Sequence, residues 1–155
     1  DAKKTAPKKT NSRPAGKTAA AKTAPFEKAT VEQMAAQCVK FETEAGVIEM
    51  EMFPESAPET VRSFLNLAAT GLLDTTAFSR VVPNFVVQGG NLSTREKYTN
   101  EAAERARRTI PDEPNQIKHE RGILSMARSD EPNTATTHFF ILVAPTASYL
   151  DGKFA

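Results

Sequence analysis

The chain has 155 residues, enough for one domain, and 39% of them are hydrophobic with no run approaching the length of a membrane span. Its net charge of +1 hides an asymmetry: residues 1–25 hold seven Lys or Arg against one acid, Asp1, leaving 13 basic and 18 acidic residues for the remainder. Cys38 is the only cysteine, which excludes an internal disulfide and any metal site built on Cys pairs.

Residues 1–25 are mostly Lys, Thr, Ala and Pro, without an aromatic or large aliphatic side chain. Nothing there offsets the cost of ordering the backbone, so a disordered basic leader is expected. It lacks the aromatic residues that stack bases and the apolar face of a membrane-surface helix, so neither specific nucleic-acid binding nor membrane insertion is expected of it. A leader of this composition resembles the spacer left after signal cleavage and favours an exported, periplasmic bacterial protein over a cytoplasmic one. The folded domain is expected over residues 26–155.

Thr30 and Gln33 have capping-box spacing, and Val31, Met34, Ala35 and Cys38 fall at i, i+3, i+4 and i+7. A short helix is predicted there, with Cys38 as a small apolar residue on it or at its exit. A hairpin follows. Val39–Glu42 forms one strand, 43–46 the turn and Val47–Phe53 the other, in which Ile48, Met50 and Met52 alternate with Val47, Glu49 and Glu51. Ser56, Pro58 and Glu59 mark the start of a second helix, Val61, Phe64, Leu65 and Ala68 form its apolar stripe, and Gly71 ends it. Further strands are predicted at Ala77–Val82, Phe85–Gln88, Ile123–Ala127 and Phe139–Val143. Residues 91–116 read as a long surface loop anchored by Tyr98 and Ile110. Many short strands, one strong helix and long connections predict a mostly β fold, a closed antiparallel barrel capped by helices.

Familiar catalytic sets are missing. His119 and His138 are the only histidines, without the third or fourth ligand a zinc site needs. Gly-x-Ser-x-Gly is absent, so no nucleophile–histidine–acid set has a local signature. Gly89-Gly90 is too short for a phosphate loop and reads as a turn needing positive φ or close backbone approach. Asn91-Leu92-Ser93 matches a glycosylation sequon, a weak pattern.

Two segments are more informative. One is Phe78-Ser79-Arg80-Val81-Val82-Pro83-Asn84-Phe85-Val86-Val87-Gln88-Gly89-Gly90. The other runs through Gly122-Ile123-Leu124-Ser125-Met126-Ala127-Arg128, Pro132-Asn133-Thr134, His138-Phe139-Phe140-Ile141 and Tyr149-Leu150-Asp151-Gly152-Lys153. In order and spacing these blocks resemble the cyclophilin family of peptidyl-prolyl cis-trans isomerases, from about Val39 to Ala155. The stretch from Pro54 to Val61, with Phe64, is similar to the family's first helix.

The resemblance implies a site. Arg80 matches the catalytic arginine, Gln88 the glutamine that supports it and Phe85 a pocket phenylalanine. Val86 stands where many members have Met, and Phe140 and Leu150 match the floor and wall of the proline pocket. Ala127 and Arg128 fall where backbone pairs with the bound peptide, Arg128 replacing a common Asn. His138 replaces a groove-lining Gln, Tyr149 a rim Trp of many eukaryotic members, Phe154 a rim His, and Ser79 a common His. Residues 129–131 make the following loop one residue longer. The implied reaction is rotation about X-Pro bonds, without metal or cofactor, in Pro-containing peptides and partly folded proteins. The alternative is a proline-segment binding module with little turnover. The resemblance also implies a monomer, with cyclosporin binding weakened by Tyr149 and Phe154. Family members continue beyond the position of Ala155 into a further strand, so the domain is expected to be incomplete at its C-terminus.

Overall fold

The computed structural model describes residues 24–155. All but the last two residues of the expected leader therefore lie outside the described residues. Helix α1 spans Val31–Ala35, and its Thr30–Gln33 capping box is formed reciprocally, as the spacing predicted. Its apolar stripe is narrower than expected. Met34 is fully buried, but Ala35 is exposed, and Cys38 opens the next strand as an exposed thiol. One turn of helix can aim only one long side chain at the core, and the chain has left the helix before position i+7.

Strands β1 (Cys38–Thr43) and β2 (Gly46–Glu51) form the antiparallel hairpin. Met50 and Met52 point inward and Val47 outward, the alternation read from the sequence. Helix α2 (Pro58–Ala69) buries Val61, Phe64, Leu65 and Leu67. At its C-terminus Gly71 takes φ of +72°, its N–H donates to Ala68 and that of Leu72 to Leu67. This 6→1, 5→2 pair is a Schellman closure.

The N-terminus of α2 departs from expectation. Its cap residue is Ala57, and Ser56 makes no cap. The two oxygens of Glu113 instead accept from the N–H groups of Glu59 and Thr60 at 3.0 and 2.8 Å. A carboxylate satisfies two orphan donors where a hydroxyl satisfies one, and its charge suits the positive end of the helix. On the flank of α2, Arg62 accepts no part in the core but donates to the carbonyls of Phe26 and Ala29 at 2.8 and 2.7 Å, pinning the entry segment.

Four strands make the second sheet, in the order β3 (Arg80–Val82), β4 (Val86–Gly89), β6 (Phe139–Leu142), β5 (Leu124–Met126), antiparallel throughout. The strand expected at Ala77–Val82 begins only at Arg80, since the Ala77 N–H is taken by Thr94 Oγ1. The fold is mostly β with few helices, as expected. The ladder hydrogen bonds draw two antiparallel sheets of two and four strands.

The long loop is less irregular than its polarity suggested. It contains a short turn of 3₁₀ helix at Leu92–Thr94 and helix α3 (Asn100–Arg107), capped by Thr99 Oγ1. Leu92, Ala102 and Ile110 are its buried anchors, whereas Tyr98 is exposed. A stripe of alanines suffices for α3 because the surface it covers is close, and alanine costs little to fix in a helix.

The main core lies between the hairpin, α2 and one face of the four-stranded sheet. Phe41, Phe64 and Phe139 pack there with ring centroids 5.5–6.0 Å apart. A cavity of about 520 Å³ opens between β2, β5 and α2, lined among others by Met52, Val61, Leu124 and Phe154. No described helix is long and apolar enough to cross a membrane.

Candidate functional site

Side chains directly opposite one another in a ladder share a face. Across the four-stranded sheet the register runs Arg80↔Gln88↔Phe140↔Ser125, with Val82↔Val86↔Leu142 as the next row on that same face. The alternate positions, Val87, Ile141 and Leu124 in one row and Gly89, Phe139 and Met126 in another, face the opposite way. A one-residue slip would exchange the two sets.

Two backbone features hold this register. Phe85 N–H closes on Val82 O at 3.0 Å across Pro83-Asn84, with Asn84 at φ +59°, a tight turn between β3 and β4. After β4, Gly90 adopts φ +82°, and a Cβ there would stand 2.1 Å from the Thr137 carbonyl oxygen. Only glycine fits, as the paired glycines suggested.

The site face carries a second apolar cluster: buried Val86, Phe140, Leu142, Ala144 and Ala147, with Val82, Phe85, Ala127, Leu150 and Phe154 packed against it. At its edge stands Arg80, exposed, its Nη1 donating to Gln88 Oε1 at 3.2 Å. The cross-strand position of Gln88 makes that contact possible and leaves the remaining guanidinium N–H groups free to turn outward. Tyr149 is exposed and stacks on Phe85, centroids 6.3 Å apart. His138 is half-buried where β6 begins, and burial holds its imidazole below the ordinary range. Ala127 and Arg128 follow β5, and the Ala127 N–H donates to His138 O. Thus Arg80, Gln88, Phe85, Val86, Ala127, His138, Phe140, Tyr149, Leu150 and Phe154 converge on one surface. Arg128 lies beside it with its side chain turned away into the structure.

A buried polar set lies beneath the cup. His119 is 3% exposed and stacks on Phe140 from below, centroids 6.3 Å apart. Its Nδ1 lies 3.2 Å from Asp151 Oδ1 and its Nε2 3.0 Å from Ser125 Oγ. The carboxylate only accepts, so Nδ1 carries the proton, and in the neutral ring Nε2 accepts from the Ser125 hydroxyl. The His119 backbone N–H, its ring and Lys118 together hold the Asp151 carboxyl below the usual carboxylate range. These distances have the form of a nucleophile–histidine–acid set. However, Ser125 is 2% exposed, and its bond to the His119 ring, which stacks on Phe140, ties β5 to the floor of the cup. Its members lie 6 and 32 residues apart, with no local pattern to announce them. Among the described residues no cluster of three or more His, Cys, Asp or Glu could hold a metal ion.

Residues 38–155 match the family model of the cyclophilin type peptidyl-prolyl cis-trans isomerases. The chain is 38% identical over 111 residues to peptidyl-prolyl cis-trans isomerase A of Dickeya dadantii, covering 70% of this chain and 55% of that protein. Against isomerase B of Escherichia coli the identity is 38%, over 68% of this chain and 62% of that protein. Isomerase ppi1 of Schizosaccharomyces pombe is 40% identical over 118 residues, 74% of this chain and 72% of that protein. The chain thus spans between half and two thirds of the length of the first two. The fold superposes with a TM-score of 0.65 on a Cryptosporidium parvum cyclophilin type isomerase crystallised in the presence of the dipeptide Ala-Pro, at 31% identity over 77% of this chain and 75% of that one. By sequence and by fold, the chain belongs to the cyclophilin-type peptidyl-prolyl cis-trans isomerase family.

Proposed function

We propose that the chain accelerates cis–trans rotation about X-Pro bonds in peptides and partly folded proteins. The observation that carries this reading is a guanidinium fixed by a neighbouring glutamine at the edge of an apolar cup, on an open surface. A substrate that is a segment of a longer chain needs such a groove, since an enclosed cavity would exclude the flanking residues.

The barrier to rotation is about 18–20 kcal/mol and comes from amide resonance. No covalent bond breaks, so no nucleophile is required. Acceleration requires only that the twisted amide be bound better than either planar form. Twisting localises a lone pair on the proline nitrogen, which can then accept a hydrogen bond. In this reading Phe140, Val86, Phe85 and Leu150 hold the proline ring, while Arg80 donates to the twisted amide. Gln88 occupies one guanidinium N–H and thereby orients the others. His138, Ala127 and Tyr149 border the flanking peptide, and Phe154 the rim.

The test is a protease-coupled or NMR exchange assay on a Pro-containing peptide. Arg80→Ala is expected to lower kcat/KM by about 10²–10³, the usual cost of losing one well-placed donor. Arg80→Lys should recover little, because the planar fork is lost. Gln88→Ala should give a milder loss. Peptide affinity and the thermal midpoint should change far less. Turnover within a few-fold of wild type in Arg80→Ala would overturn the mechanism and leave a proline-segment binding module.

A further inference from the structure

Three departures from the family pattern, Arg128, Phe154 and the lengthened loop at 129–131, meet in one place. The Arg128 side chain is 18% exposed. Its Nη1 donates to Ser129 O at 2.9 Å, with longer shared contacts to the carbonyls of Asp130 and Glu131 at 3.3 and 3.4 Å. Its Nη2 reaches across to Lys153 O at 3.4 Å. The guanidinium carbon sits 5.1 Å from the centroid of Phe154, in cation–π range. Asp112 Oδ2 lies 3.5 Å from Nε, close enough to balance the charge although Nε forms no hydrogen bond. Asp112 is itself tied to the same loop, its N–H donating to Asn133 Oδ1 at 2.8 Å. Phe154 in turn packs edge-on against Phe140, the floor of the cup.

We infer that Arg128 is a positioning residue, a clasp that fastens loop 129–134 and the rim turn 150–154 to each other and so holds both walls of the peptide groove in their binding shape. Only arginine meets the demands of the place. Its planar fork serves carbonyls from two segments while its face lies on a ring, which the compact ammonium of lysine cannot do. The charge is committed to Asp112 and to main-chain oxygens. It is therefore not offered to the substrate, and its effect reaches the substrate through the order of the walls. Binding a peptide between ordered walls avoids the entropy of fixing them, which improves affinity and leaves the rotation step alone.

The kinetic side of this inference rests on the isomerase reading; the structural side does not. The experiment therefore combines amide hydrogen exchange with kinetics on the full chain carrying Arg128→Ala or Arg128→Lys. Exchange at 129–134 and 151–154 is expected to quicken about tenfold or more in both variants, as for loss of a hydrogen bond to a charged group, with β4 and β6 unchanged. KM is expected to rise about five- to tenfold, with kcat within about twofold of wild type. The relative rates on Glu-Pro and Lys-Pro peptides should not move. Unchanged exchange in both segments, or faster exchange throughout the sheet, overturns the clasp. A shift in the Glu-Pro to Lys-Pro ratio overturns it differently, by showing a charge that faces substrate. Should wild type show no turnover, the isomerase reading fails and the exchange result alone decides the clasp. If Arg128→Ala does not fold, Arg128→Lys and Asp112→Asn carry the test, and full loop protection in both overturns the proposal.

Discussion

The two faces of the four-stranded sheet are made by the same strands and differ in what they serve. One face presents Phe139, Met126 and Ile141 to α2 and the hairpin, where aromatic rings interlock in the main core. The other presents Val86, Phe140 and Leu142 as a cup with Arg80 and Gln88 on its edge. Neighbouring residues such as Phe139 and Phe140, alike in type and both buried, have opposite tasks because a strand sends successive side chains to opposite sides. Stability should therefore concentrate on one parity of these strands and turnover on the other.

The largest expected effect tests that division directly. Phe139→Ala empties a site 2% exposed and should destabilise the fold by about 3–5 kcal/mol in denaturant unfolding. Activity per folded molecule should stay within a few-fold, the reverse of the pattern expected for Arg80→Ala. If the folded fraction of Phe139→Ala loses turnover as heavily as Arg80→Ala does, the faces are not separable.

A smaller effect separates the two possible caps of α2. Glu113→Ala should cost about 1 kcal/mol, typical for a lost cap, whereas Ser56→Ala should fall within about 0.5 kcal/mol of wild type. The opposite ranking would return the cap to Ser56.

On the open face, Tyr149→Trp should tighten cyclosporin binding several-fold in a titration, because the exposed Tyr149 stands where Trp-bearing members place their ring donor. No gain would mean that Phe154 or another rim residue limits binding.

The mildest prediction concerns pH. Burial lowers the pKa of His138, so the unfolded chain takes up a proton more readily than the folded one. The stability contributed by neutral His138 is present above the unfolded value, about 6.5, and is lost as pH falls through the lowered folded value. Thermal midpoint and peptide affinity should both decline from pH 7 towards pH 5, and His138→Gln should flatten that window. Asp151, whose pKa is also lowered, acts in a separate window, with stability lost only as pH falls below about 4. A slope between pH 7 and 5 that survives in His138→Gln would place the titrating group elsewhere.

What could be read in the chain alone was whatever depends on residues a few positions apart. The Thr30–Gln33 box, the hairpin alternation and the closure of α2 at Gly71 are of this kind. The resemblance named Arg80, Gln88 and Phe140 as site residues, and the ladder register puts them on one face. The tertiary structure decided what distant residues do to one another. Glu113 caps α2 across more than fifty positions, displacing the nearby Ser56. Alanines turn a polar stretch into α3 because a wall lies close by, and Cys38 faces solvent because its helix ends early. His119, Ser125 and Asp151 meet beneath the cup, and Arg128 finds Asp112, Lys153 and Phe154, only after the loops between them have closed. Local hydrogen bonds and periodicity are fixed by the chain's own geometry, whereas a partner brought in by loop closure leaves no pattern in the residues that receive it.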